Sequence, residues 1–132
     1  MLVNCQRRVR VNAADLRRFA TRLRRLLRLR PESFTVALVT DKRSAALNQR
    51  YRRRGHPTDV LSFASGNGTL GEVVISAETA RRNARRYRHS AAEEIKLLMV
   101  HGVLHLLGYD HETDRGQMNR REHALRRRLG LE

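Results

Sequence analysis

The pattern of apolar and polar positions changes period along the chain, and each period predicts a type of element. Apolar residues recur at helical spacing over residues 13–29, between an N-cap at Asn12 and the helix-breaking Pro31. Residues 34–39 form a nearly continuous apolar run, which is typical of a buried strand. The predicted strands cover residues 7–11, 34–39, 60–64 and 72–75. The predicted helices cover residues 13–29, 42–51, 77–87, 91–107 and 114–129, with Asp41, Ser76, Ser90 and Asp114 at their starts.

The order of these elements, β-α-β-α-β-β-α-α-α, predicts the fold class. Strands and helices are partly segregated along the chain, which favours an α+β fold with helices packed on a sheet. We expect one domain over residues 1–132, with a mixed four-stranded sheet and about five helices. The helix that follows Ser90 is apolar almost all round from Ile95 to Leu107, so it is predicted to be central and buried.

The bulk composition is that of an ordinary globular protein. Hydrophobic residues make up 40% of the chain, and no apolar run is long enough to cross a membrane. The first residues contain no long apolar segment of the kind that signal peptides carry. Cys5 is the only cysteine and cannot form an internal disulfide. These features predict a cytoplasmic protein.

The charge is unusual. Lysine and arginine together number 28 against 13 acidic residues, a net charge of +15, and nearly all the positive charge is arginine. A genome bias could explain why arginine replaces lysine, but it does not explain the excess over acidic residues. Arginine makes forked contacts to phosphate, so a nucleic-acid partner is favoured. The arginines cluster in residues 17–30, 50–54 and 81–88. Each exposed arginine of the first helix is equally compatible with a merely solvated helix face, whereas residues 50–54 lead directly into residues 57–63.

Three histidines lie within eleven residues, in the run His101-Gly-Val-Leu-His105-Leu-Leu-Gly108-Tyr-Asp-His111. His101 and His105 share one face of a helix, and Gly108 can adopt the left-handed backbone that ends it, so that His111 can return to the same point. Two such histidines alone could be hydrogen-bonded core residues, but three at this spacing indicate a catalytic zinc site with one open position. The spacing is that of metzincin proteases, except that Gly102 stands where those proteases have their glutamate base.

The same run resembles the signature of the bacterial YbeY family of zinc-dependent rRNA-maturation endoribonucleases. Two further blocks agree with that family, Asn48-x-x-Tyr51-Arg52 with the following residues 57–63, and residues 70–76. Two departures are visible: Ala64 stands where a proline is usual, and the loop over residues 64–69 is short. The resemblance implies a single-strand-specific, metal-dependent endoribonuclease that matures the 3′ end of small-subunit ribosomal RNA and acts in ribosome quality control. It implies one Zn²⁺ per chain and, as partners, ribosomal RNA and the ribosome with its proteins, without DNA or membrane.

The predicted site residues follow from the motif and the resemblance together. The metal ligands are His101, His105 and His111, and the catalytic residues are Arg52, on the phosphate side, and His101. Arg52, Arg53 and Ser62 are predicted to contact the substrate.

Other residues near the motif have open roles. Asp110 either orients a histidine through its second nitrogen or serves the turn, and Glu72 is expected to line the cleft with Ser62. Two other functions remain open: a zinc hydrolase of peptides, and a non-catalytic RNA-binding factor in ribosome assembly.

Overall fold

The structure of the protein is a computed structural model that describes residues 1–52 and 58–131, with only the backbone of residue 52. Its elements, in chain order, are β1 Leu2–Asn4, α1 Ala13–Leu26, β2 Phe34–Val39, α2 Asp41–Arg52, β3 Val60–Ala64, β4 Gly71–Ser76, α3 Ala77–Tyr87, α4 Ala91–Leu106 and α5 Gln117–Leu129. The strands form one sheet in the order β1-β2-β4-β3, in which only β3 and β4 pair antiparallel. The α+β prediction, with a mixed four-stranded sheet and five helices, is confirmed.

The first strand is not where the alternating pattern placed it. The prediction over residues 7–11 is wrong, because the side chain of Gln6 bonds to both the N–H and the C=O of Val9 and closes a turn there. The strand lies earlier, where Leu2 is in parallel register with Val36 of β2. A short alternating run has the same pattern in a strand and in a turn with alternate residues buried, so only the pairing partner distinguishes them.

The helix starts are mostly as predicted. Asn12, Ser76 and Ser90 each accept a hydrogen bond from a backbone N–H in the first turn of their helix. Asp114 lies two residues before the N-cap of α5, which is Gly116, and its carboxylate accepts from the N–H groups of Gly116 and Met118. These caps satisfy donors that a helix leaves unpaired at its N-terminus.

Three helix limits differ from the prediction. α5 begins at Gln117, not at residue 114, because the backbone of Gly116 is left-handed, with φ of 93°. α1 ends at Leu26, before residue 29, because the backbone of Arg28 is left-handed, with φ of 56°. Asp41 belongs to α2, and Thr40 accepts from the N–H of Arg43 in its place.

Asp41 instead joins α2 to α3. Its carboxylate accepts hydrogen bonds from the hydroxyls of Ser76 and Thr79, each at 2.6 Å, and pairs with Arg82 at 2.8 Å. Burial alone would raise the pKa of this carboxyl, but the hydrogen bonds and the arginine outweigh burial and lower the pKa.

The sheet is covered on both faces, and α4 lies at the centre of the larger core. Apolar side chains of α1, α4 and α5 pack there against β2 and β4, and α2 covers a smaller cluster on the opposite face. Ile95, Met99 and Val103 of α4 are completely buried, as expected for a helix that is apolar on all sides. Among residues 1–52 and 58–131, no helix has the length and apolar character needed to span a membrane. The fold therefore holds α4, which carries two of the motif histidines, rigidly between the sheet and α5.

Candidate metal centre

The three motif histidines meet at the C-terminal end of α4. The Nε2 atoms of His101 and His105 are 3.1 Å apart, and one ligand nitrogen from each of the three rings lies within 4.8 Å of the others. The ring of His111 lies 5.5 Å from that of His101 and 5.6 Å from that of His105, measured between centroids. Within the described parts of the chain, this is the one cluster of three or more histidine, cysteine or acidic residues that could hold a metal.

The turn after α4 brings in the third histidine. Gly108 has a φ of 98°, a left-handed conformation that a side chain would strain, and its N–H bonds to the carbonyl of His105. The N–H of Tyr109 then bonds back to the carbonyl of Leu104, which closes a glycine-type helix end. The chain reverses within three residues, so His111 faces the last turn of the helix. The prediction for Gly108 is confirmed.

The donor set fits a metal ion. Burial lowers the pKa of His105, the positive charges of His101 and His111 lower it further, and a hydrogen bond to the backbone of Tyr109 opposes the shift. The lowered pKa favours the neutral form of His105, which is the form that binds metals. Three neutral imidazoles that converge on one point are suited to the borderline-soft divalent ions, and zinc is the commonest of these in such sites.

The partner that orients a histidine is Glu122, not Asp110. The Glu122 Oε1 atom lies 2.6 Å from His101 Nδ1, across the interface between α5 and α4. Asp110 instead accepts the N–H of Glu112 in the turn, at 3.0 Å. Sequence reasoning missed Glu122 because it falls among the apolar residues of α5, between Met118 and Leu125. The sequence nevertheless contains an indication of this role, because an acidic residue on the buried side of an amphipathic helix requires a partner.

The missing glutamate of the protease motif has a steric explanation. α4 crosses the sheet so closely that a Cβ placed on Gly102 would lie 2.5 Å from Cγ1 and 3.0 Å from Cγ2 of Val73 on β4. The hydroxyl of Ser62 on β3 would be 3.3 Å away, and this hydroxyl donates to the carbonyl of Gly102 at 3.0 Å. A glutamate side chain therefore has no room at this position, and the helix face towards the sheet is occupied.

A cavity of about 480 Å³ opens beside the histidines. Asn48 of α2, Ser62 of β3 and Glu112 of the turn are among the residues that line it, and so is Thr58. No arginine or lysine is among the lining residues within the described parts of the chain. Glu72, which was expected to line this cleft, lies on the opposite face of the sheet with Phe63 and Tyr51, so that expectation is wrong.

The predicted phosphate-binding arginines are only partly described. Arg52 is the last residue of α2, and its side chain is outside the described structure. Arg53 lies entirely outside the described residues. Their roles stay predictions.

Comparison with known proteins identifies the family of the chain. Residues 3–130 match the family model described as Endoribonuclease YbeY. A protein named Endoribonuclease YbeY from Solibacter usitatus is 44% identical over 88% of this chain and 78% of its own length. One of the same name from Nautilia profundicola is 42% identical over 78% of this chain and 76% of its own length.

One solved structure supports the fold alone. A solution structure of a Thermotoga maritima protein has a TM-score of 0.68 and 24% identity, and it covers 98% of this chain and 89% of its own. The match to the family model spans nearly the whole sequence, and the two relatives agree with it in most of their length. The chain belongs to the YbeY endoribonuclease family.

Proposed function

We propose that the protein is a zinc-dependent, single-strand-specific endoribonuclease that matures ribosomal RNA. The observation that carries the proposal is the convergence of His101, His105 and His111 within 4.8 Å in a chain of the YbeY endoribonuclease family. In this proposal the three histidines hold one zinc ion per chain. The resemblance further suggests the 3′ end of small-subunit ribosomal RNA as the place of cleavage, a role in ribosome quality control, the ribosome and its proteins as partners, and a cytoplasmic location.

The chemistry needs both a metal and positive charge. When bound, zinc lowers the pKa of a coordinated water to about 7 and acts as a Lewis acid. Cleavage of a phosphodiester also builds negative charge on the phosphoryl oxygens, and preorganised donors must stabilise that charge. The described lining of the cavity contains acceptors, such as Glu112, but no arginine or lysine. In this proposal a cationic donor from outside the described lining assists the metal.

Residues 50–54 are the best source of that donor. The cavity lining includes Asn48, which lies one helical turn before Arg52 on α2, and Thr58. The described residues on both sides of residues 53–57 therefore line the cavity. We assign the phosphate-side catalytic role to Arg52, with its forked guanidinium, and a substrate-binding role to Arg53. Ser62 lines the same cavity, and its hydroxyl oxygen can still accept a hydrogen bond from the substrate.

Peptide hydrolysis is disfavoured by the packing of Gly102. A protease of this motif needs a glutamate base next to the first histidine, and Val73 occupies the space where even its Cβ would lie. The net charge of +15 also suits an RNA substrate better than a peptide.

Cleavage of a small-subunit ribosomal RNA precursor by the purified protein tests the proposal. The expected result is endonucleolytic cleavage of single-stranded segments, loss of activity with a chelator, and recovery when zinc is added in stoichiometric amount. A casein-derived peptide serves as the second substrate and should remain intact. RNA binding without any cleavage, with zinc present, would support a non-catalytic assembly factor and contradict the endoribonuclease proposal.

A further inference from the structure

Glu122 lies where it can fix the orientation and the tautomer with which the His101 ring faces a metal ion. It belongs to α5, which packs on α4, and its carboxylate oxygen is 2.6 Å from His101 Nδ1. The side chain of Glu122 is 21% exposed and that of His101 is 29% exposed, so the contact is partly shielded from water. A carboxylate can only accept, and therefore the histidine nitrogen donates.

The bond selects one tautomer of His101. With its proton on Nδ1, a neutral imidazole has a lone pair on Nε2. That Nε2 atom is the one that lies 3.1 Å from Nε2 of His105, on the side where the three rings converge. Without Glu122 the ring could also hold its proton on Nε2, where it would block binding, or turn away from the cluster.

α5 holds the carboxylate in position. Met118 and Leu125, one turn on either side of Glu122, are 0% and 2% exposed, so the helix cannot rotate or slide freely. The helix begins after the turn that carries His111, and the carboxylate of Asp114 in this turn accepts a hydrogen bond from the N–H of Met118 in the first helical turn. One short connection therefore places both the third histidine and the start of the helix that presents Glu122.

From these contacts we infer that Glu122 is a positioning residue of the metal site, which presets the Nδ1–H tautomer and the ring orientation of His101. The inference rests on the proposed metal site. It concerns metal affinity rather than the identity of the substrate. A partner of this kind is typically worth about 10- to 100-fold in metal affinity.

The test is zinc affinity, measured by competition with a chromophoric chelator, for the wild type, Glu122→Gln and Glu122→Ala. The glutamine variant keeps the size of the side chain and a neutral acceptor, and we expect about tenfold weaker binding; the alanine variant should approach 100-fold. Glu112→Gln is the matched control, because Glu112 lines the cavity but has no bond to a histidine, so it reports the loss of one nearby negative charge. Its affinity should change less than threefold, on the order of a surface charge effect.

A second measurement separates positioning from a general structural role. Histidine ¹⁵N shifts of the metal-free protein should show the Nδ1–H tautomer of His101 in the wild type and a mixture in Glu122→Gln, at unchanged circular dichroism. If the alanine variant does not fold, the glutamine variant still decides the question. Equal zinc affinity of wild type and Glu122→Gln would overturn this inference alone, whereas a wild type that binds no zinc would overturn both it and the proposed metal site.

Discussion

The close approach of α4 to the sheet at Gly102 predicts a large effect of a single methyl group. In Gly102→Ala, the new Cβ would lie 2.5 Å from Cγ1 of Val73, far inside van der Waals contact. Val73 cannot easily yield, because it is completely buried, β-branched, and held in β4 between β2 and β3. Overpacking of this kind costs about 1–3 kcal/mol. A clash with a rigid residue belongs at the upper end of that range.

The Gly102→Ala substitution also makes a favourable contribution to the free energy of unfolding. Alanine is better than glycine inside a helix by about 1 kcal/mol. The net expectation for Gly102→Ala is therefore a loss of about 2 kcal/mol in the free energy of unfolding, or roughly 8 °C in Tm for a chain of this size. The free energy is measured by urea unfolding of the metal-free protein, so that metal binding does not contribute.

The same substitution in a Val73→Ala protein tests whether the clash with Val73 causes the loss of stability. Val73→Ala removes both methyl groups that the new Cβ would meet, so Gly102→Ala in that background should be neutral or should stabilise by up to about 1 kcal/mol. The coupling between the two positions should then approach 3 kcal/mol, the upper end of the usual range for residues in contact. A Gly102→Ala protein as stable as the wild type, or a coupling near zero, would refute the steric explanation for the missing glutamate.

Four further outcomes are expected. His111→Ala should lose most of the one zinc equivalent that metal analysis finds in the wild type; unchanged zinc would exclude His111 from the site. The logarithm of RNA affinity should fall linearly with the logarithm of salt concentration, with a slope of about −0.7 per neutralised phosphate, and a salt-independent affinity would contradict electrostatic binding. Arg52→Ala should keep its zinc and most of its RNA affinity but slow single-turnover cleavage by about 10²–10³, with partial rescue by lysine. Arg53→Ala is its control and should lose little; equal small effects at both positions would reduce Arg52 to one more backbone-binding charge. Asp41→Asn should lower the free energy of unfolding at pH 7 by about 1–3 kcal/mol. Because folding lowers the pKa of Asp41, this contribution is present above its ordinary value of 3.8 and is lost as the pH falls below it, so urea unfolding should show the variant and the wild type converging in acid.

The sequence by itself determined the elements whose signals are local. Helical periodicity and the caps at Asn12, Ser76 and Ser90 depend on side chains within one turn, so they were predictable, and so was the bend at Gly108. The convergence of His101, His105 and His111 is local too, because one helix turn and one reversal bring the three rings together.

Tertiary structure decided what depends on distant partners. The strand at residues 2–4 exists because it pairs with β2, and no nearby residue distinguishes it from the alternating segment that follows it. From the sequence alone, Gly102 indicates only that the glutamate base is absent. The structure shows that Val73, 29 residues away in sequence, occupies the space that a side chain at this position would need. From the sequence alone, Glu122 is an acidic residue within an apolar stripe. Its role is visible only when α5 packs on α4, because the carboxylate of Glu122 then contacts His101. The pattern of apolar and polar residues depends on the period of one helix or strand and carries no information about which other element packs against it. The roles of Gly102 and Glu122 depend on that packing, so only the tertiary structure reveals them.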